Sequence, residues 1–557
     1  MNIDKKKILL AVIVAIAFFL RFYRLTEVPP SLNWDEVSIG YNAYSIMETG
    51  KDEWGETMPL HFQSYGEYKL PGQIYASIPA IAVFGLNPFA VRITPVIYGT
   101  LTVLFLYFLT KELFNKRSIA LVSAFLLAVS PWHVQLTRAS FESSFALMWV
   151  VLGIWLLVKG FKNSKWWIAS MIPFALAVYT YNSARAFVPM LIAALYVLYR
   201  KDFLKYKKHA LISLVFFTLL LLPLIPSMFS GQGGARFKLV SIVNEAGLVP
   251  RIEERRNAST LPDPIIRLIY NRPVYISYYF ADNYLAHFTP DFLFISGAGH
   301  KQHHVQGIGQ LYWIQAPFLL YGLYFLTKRK EKYLGLLLAW MLLAYIPVAF
   351  TLDSIPHALR TLNAVPVYQI ITAYGVYYLY KLLRKKENLY LILFWLIVIG
   401  VFGYQFVNYL DNLYNRYPYL YSREWQYGNK EAVEYIKEHY DDYDLIVYSR
   451  EYGEPHMFTL FYLGYDPEKY QNDVGLDRYK IYDWVRVKKF DKFYFPDIGT
   501  DDRESTTYDE VMEEVGDKKT LIIAEPKEVE GKGKVVKKID FLDDKEAFLI
   551  YEVNGNE

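Results

Sequence analysis

The chain has 557 residues, 54% hydrophobic and 18% aromatic, with 49 Tyr, 37 Phe and 12 Trp, and its apolar residues come in blocks rather than spread as in a soluble domain. It has no cysteine, which excludes disulfides, thiolate metal sites and a cysteine nucleophile. The formal charge of +4 conceals about −13 on residues 411–557 against about +17 on the rest, so the basic balance is no argument for a nucleic-acid partner and the blocks point to a polytopic membrane protein.

In chain order, Lys5, Lys6 and Lys7 precede an apolar run over residues 8–20, followed by "RFYRL" with no small-residue cleavage site. That pattern reads as an uncleaved anchor. Hydropathy predicts membrane spans near 8–22, 89–110, 118–130, 143–158, 166–180, 186–199, 209–227, 311–327, 333–350, 361–383 and 389–409, eleven in all. With a cytoplasmic N-terminus, the inner loops are "KELFNKR", "KGFKNSK", "RKDFLKYKK", "KRKEK" and "KLLRKKEN", each a short basic cluster, as the positive-inside rule requires. The outer side then holds a first loop (21–88), a large loop (227–310), three shorter segments and the acidic region 411–557. In that region "EWQYGNKEAVEYIKEHY" reads as an amphipathic helix, and "DLIVYS", "KFYF", "TLIIAE" and "EAFLIYEV" read as strands of a small α/β domain. The expected organisation is a membrane part over 1–410 and an extracytoplasmic domain over 411–557.

The outer segments carry the residues able to do chemistry. "SLNWDEVSIGYNAY" (31–44) sets Asp35 and Glu36 at the start of a helical pattern. Two readings stay open: Asn33 or Asp35 is the N-cap and the acids merely favour the helix dipole, or one of them is a base at the membrane surface. "QSYGEYKLPGQIY" (63–75) offers Glu67 and Lys69, an interfacial turn unless a phosphate meets the lysine. In "WHVQLTRASFESS", His133, Arg138 and Glu142 fall between two spans, with Arg138 and Glu142 at the i, i+4 spacing of a shared helix face. Arg185 in "YNSAR", with His357 and Arg360 in "IPHALR", ends the outer sides of two spans; such arginines either snorkel or clamp a phosphate. "GHKQHH" (299–304) places His303 and His304 in a loop that is either a polar contact surface or part of a metal site.

A short span ending in "RFYRL", then "WDEVSIGYNAYSI", "GEYKLPGQIYA" and "SPWHVQLTRASFES", resembles the GT-C integral membrane glycosyltransferases, in particular the group of protein mannosyltransferases and aminoarabinose transferases (glycosyltransferase family 39-like). The likeness covers about residues 1–410 and leaves 411–557 outside it. It implies a mainly α, polytopic GT-C bundle with a small C-terminal α/β domain. It also implies a sugar donor on a polyprenyl phosphate, a protein, lipid or glycan acceptor, a bilayer setting and an extracytoplasmic site, in a prokaryotic plasma membrane. Asp35 matches the family's acidic motif as base, with Glu36 and Glu142 beside it, and Lys69, Arg138, Arg185, His357 and Arg360 are expected on the donor phosphate. The reaction expected is an inverting transfer for which no cofactor is required, with a divalent cation at Glu67, His303 and His304 as an option. The alternatives are a lipid-linked sugar flippase or transporter and an oligosaccharyl-transferase-like enzyme.

Overall fold

The computed structural model describes residues 5–229, 231, 234–384, 388–481, 484–498, 506–529 and 533–553, so residues 385–387 of the last basic cluster lie outside it. Each predicted apolar interval carries a helix: Lys5–Phe22, Pro88–Phe114, Arg117–Ala128, Glu142–Gly160, Lys165–Val178, Asn182–Leu198, Lys207–Leu221, Gln315–Lys328, Leu334–Leu343, Val365–Leu383 and Asn388–Asp411. Among the described residues, four apolar stretches have the length and composition to cross a membrane: Pro88–Phe114, Glu142–Gly160, Lys207–Ser227 and Leu389–Leu420. Others are shorter; the 12 residues of Arg117–Ala128 rise about 18 Å against a hydrocarbon thickness of about 30 Å. Helix length therefore does not carry the predicted count of eleven crossings.

Chain contacts divide the protein into two compact units. One comprises Met1–Tyr23, Pro95–Thr137 and Phe141–Leu410; the other comprises Arg24–Thr94, Arg138–Ser140 and Asp411–Glu557. The first outer loop thus shares a unit with the C-terminal residues.

The first unit is helical. Val365–Leu383 is buried along almost its whole first half and packs on Gln315–Lys328. Close approach there depends on Gly375, where an added Cβ would lie 1.9 Å from the Phe318 carbonyl oxygen. Buried polar groups near this crossing satisfy one another: Gln315 Nε2 donates to Gln369 Oε1 at 2.8 Å, and Trp132 Nε1 donates to the Ala358 carbonyl at 2.8 Å.

The second unit contains a seven-stranded sheet in the order Asp477–Ile481, Trp484–Phe490, Phe493–Tyr494, Leu445–Tyr448, Thr520–Ala524, Glu546–Val553, Lys534–Asp540. Leu445–Tyr448 runs parallel to both its neighbours and the remaining pairs are antiparallel. Its four residues are all buried, the run of apolar side chains expected for a strand covered on both faces. Alternate residues enter two cores: Ile446 and Tyr448 join Phe458, Phe461 and Phe548, while Leu445 and Val447 join Val511 and Val515. The first of these cores also takes Leu32, Val37 and Tyr41 from the first loop, and Tyr41 Oη donates to the Tyr465 carbonyl at 3.1 Å.

Candidate active site

The helix Trp34–Thr49 begins with a complete capping box: Asn33 Oδ1 accepts from Glu36 N at 2.9 Å and Asn33 N donates to Glu36 Oε2 at 3.3 Å. Of the two adjacent acids, the helix turns Glu36 inward and leaves Asp35 at the surface. Glu36 is wholly buried, and Arg92 grips it with two donors, Nε to Oε1 at 3.0 Å and Nη2 to Oε2 at 2.9 Å. Ser140 N adds a third donor to Oε1 at 3.1 Å. Arg92 spends its other hydrogens on the carbonyls of Leu25 (3.2 Å), Pro29 (2.6 Å) and Ser31. Glu36 therefore ties three segments of this unit together and has no free face for an acceptor. Arg92 went unnoticed in the sequence, although an arginine inside the apolar run "NPFAVRITPV" is a signal in itself.

Asp35 keeps 39% of its side chain exposed and pairs with Lys69, whose side chain is 3% exposed. The lysine is delivered by a hairpin, Phe62–Ser64 paired with Glu67–Lys69, and helix Pro71–Phe84 follows at once with proline in its first turn. Glu67 lies across that hairpin from Ser64. Beside Asp35, the rings of Trp34, Tyr65 and Trp484 group with centroids 5.9 to 6.4 Å apart. A half-exposed carboxylate held by one buried ammonium beside aromatic faces suits proton abstraction from a hydroxyl on a ring-shaped substrate.

Arg138 lies in the same unit and is tied to it by several bonds: Nε and Nη2 donate to the Val28 carbonyl at 3.0 and 2.7 Å, Nη2 to that of Arg24 at 3.2 Å, and Nη1 to Tyr414 Oη at 3.4 Å. The preceding helix ends at Leu136 and the next opens at Glu142, so Arg138 and Glu142 do not share the helix face that their spacing suggested.

The first unit collects a second set. The rings of His300 and His303 stack 3.7 Å apart, and the His357 ring is 5.1 Å from that of His303. Burial, with His300 and Arg360 nearby, holds His303 well below the ordinary histidine value, and burial beside Arg360 does the same to His357. Arg360 is 6% exposed and donates to Thr351 Oγ1 at 2.8 Å and to Asp353 Oδ2 at 3.0 Å. Tyr181 feels the charges of Arg360, Arg236 and Glu142, and Arg185 lies four residues further on in the first turn of helix Asn182–Leu198. Neutral imidazoles crowded by arginines make a good cradle for an anion.

His304 does not fit a metal site: Nε2 donates to the Ile308 carbonyl and Nδ1 accepts from Gln310 Nε2 at 3.1 Å, so both ring nitrogens are used. Among the described residues no group of three or more His, Asp or Glu side chains is arranged to hold a metal ion.

Comparison with known proteins gives likenesses of different extent. Residues 75–225 match the family described as dolichyl-phosphate-mannose-protein mannosyltransferase. Over 130 residues the chain is 33% identical to dolichyl-phosphooligosaccharide-protein glycotransferase 2 of Pyrococcus horikoshii, a stretch that is 22% of this chain and 16% of that protein. In fold it resembles ArnT from Cupriavidus metallidurans bound to undecaprenyl phosphate, with a TM-score of 0.54 at 10% identity over 97% of each chain. It also resembles the archaeal oligosaccharyltransferase AglB from Archaeoglobus fulgidus in complex with an inhibitory peptide and a dolichol-phosphate, with a TM-score of 0.51 at 14% identity, over 82% of this chain and 63% of that one. The chain thus spans less than two thirds of the Pyrococcus and Archaeoglobus relatives.

Proposed function

From the match of residues 75–225 to the mannosyltransferase family and the likeness in fold to ArnT and AglB, we propose that the chain is a membrane glycosyltransferase of the GT-C superfamily that moves a sugar from a polyprenyl-phosphate carrier to an acceptor hydroxyl. The observation that carries this reading is the half-exposed Asp35 carboxylate held by buried Lys69 beside Trp34, Tyr65 and Trp484. Asp35 accepts the proton of the acceptor hydroxyl, the oxygen forms a bond to the anomeric carbon, and the bond from that carbon to the carrier phosphate breaks with inversion. Lys69 holds the carboxylate in position. Glu36 and Arg138, with their polar atoms spent on the scaffold, position the loop rather than touch substrate.

A second reading, transfer of a lipid-linked oligosaccharide to a protein, is favoured by the likeness to the Pyrococcus glycotransferase, 33% identical over 130 residues. The test for both uses purified protein, radiolabelled polyprenyl-phosphate and polyprenyl-pyrophosphate sugars, and envelope extract as acceptor. Release of polyprenyl phosphate from one donor, reduced by about two orders of magnitude or more in Asp35→Asn while donor binding persists, is the expected result. Binding without release from any donor, in wild type and variant alike, overturns transfer and moves a lipid-sugar flippase to the front.

A further inference from the structure

Trp34, the residue immediately before Asp35, is held on three sides by residues far away in sequence but within the same unit. Its N–H is one of the amides a helix N-terminus leaves without an intrahelical partner, and it donates to Gln426 Oε1 at 2.8 Å, across 392 residues. Its carbonyl accepts from Tyr65 Oη at 2.9 Å. Its ring lies on Gly453: a Cβ there would come 2.4 Å from Trp34 Cε3 and 2.4 Å from Gln426 Nε2, and Gly453 has φ +118°, where a side chain would be strained in any case.

The clamp is itself well supported. Gln426 is 7% exposed and adopts φ +56°, uncommon for a residue with a Cβ; Asn429 Nδ2 donates to its carbonyl at 2.8 Å and its own amide nitrogen donates to the Tyr452 carbonyl. A glutamine kept in left-handed backbone with both ends of its amide engaged implies a fixed orientation, and that orientation fixes where the helix begins.

We infer that Gln426 and Gly453 are positioning residues for the reaction: they set the backbone at Trp34 and so aim the Asp35 carboxylate at its proton. The inference rests on Asp35 being the base, as proposed above. Trp34 and Asp35 are consecutive, so a shift of the first turn moves the carboxylate against Lys69, and misplacements of about 1 Å cost up to about a hundredfold in rate.

The test uses the full-length protein in detergent. Gln426→Met keeps the side-chain volume and removes the acceptor for the Trp34 N–H; Gly453→Ala is the second variant, should the first not fold. Two quantities are read: hydrogen exchange of the peptide bearing residues 34–36, and kcat, donor KM and pH profile of transfer. The expected result is faster exchange at 34–36, with kcat down about tenfold or more, donor KM within about twofold, and a displaced acid limb of the pH profile. Unchanged exchange overturns the physical link. Faster exchange with unchanged kcat, or a loss of kcat that only follows a lower melting temperature with an unmoved pH profile, overturns the positioning role. If exchange accelerates but the wild type transfers no sugar from any donor, the transferase reading fails and this role fails with it, while the contact stands.

Discussion

Asp35 and Glu36 are neighbours in sequence and opposites in environment. Glu36 is buried with both oxygens bonded to Arg92, so Arg92→Leu strands a buried carboxylate and should cost about 3–5 kcal/mol. The double variant Glu36→Gln/Arg92→Leu should recover part of that loss; thermal unfolding of the purified proteins gives both values. Glu53 behaves differently, because the nearby Arg478 donates to its backbone carbonyl at 3.0 Å and its charge offsets only part of the burial. Burial pushes it from the ordinary 4.5 up to about 8, and its partner is the neutral Asn42, whose Nδ2 donates to Oε1 at 3.2 Å. Near neutrality the folded protein therefore holds a proton that the unfolded chain has released, and stability falls as pH rises from about 4.5 to about 8. Glu53→Gln should remove that slope: its melting temperature, relative to wild type, rises between about pH 5 and about pH 8, and parallel curves would sink the assignment.

At the level of elements, the site depends on where helices start. Asn33 anchors both halves of the capping box that presents Asp35, so Asn33→Ala should lower stability by about 1 kcal/mol and lower transfer further, since the helix start carries the proposed base. Comparing activity at equal folded fraction separates the two effects. This element was legible in the sequence, because Asn followed three residues later by Glu ahead of an apolar run is a capping signature. Four strands were equally legible from their β-branched and aromatic content. Asp477–Ile481, Trp484–Phe490 and Lys534–Asp540 were not, since "DRYKI", "WVRVKKF" and "KVVKKID" are rich in charge; the first and last are the edge strands of the sheet, where solvent replaces one neighbour, and the second lies next to one of those edges. The i, i+4 link between Arg138 and Glu142 failed for a local reason: the chain leaves the helix at Thr137, and Arg138 turns to the Val28 carbonyl.

For the molecule as a whole, hydropathy located every helix of 17 residues or more among the described residues, because apolar runs are continuous in sequence. It could not say that the loop over 24–94 folds with residues 411–557, because the contacts that decide this, such as Tyr41 to Tyr465 and Trp34 to Gln426, join positions with no pattern in common. A chain ending at residue 410 should therefore still insert its helices, yet its first loop should be cut by protease at sites around 50–60 that resist in the full chain. Equal protection in both would refute the shared unit.

That shared unit also has a consequence in time. The helix bearing Asp35 is made 392 residues before the glutamine that fixes its first turn, which at ordinary elongation rates is about 20 to 80 s. Throughout that interval the proposed base lacks the contacts that aim it. On the proposed reading, competence arrives only once residues 411–557 have been made, so the order of translation keeps a shorter nascent chain from spending the donor.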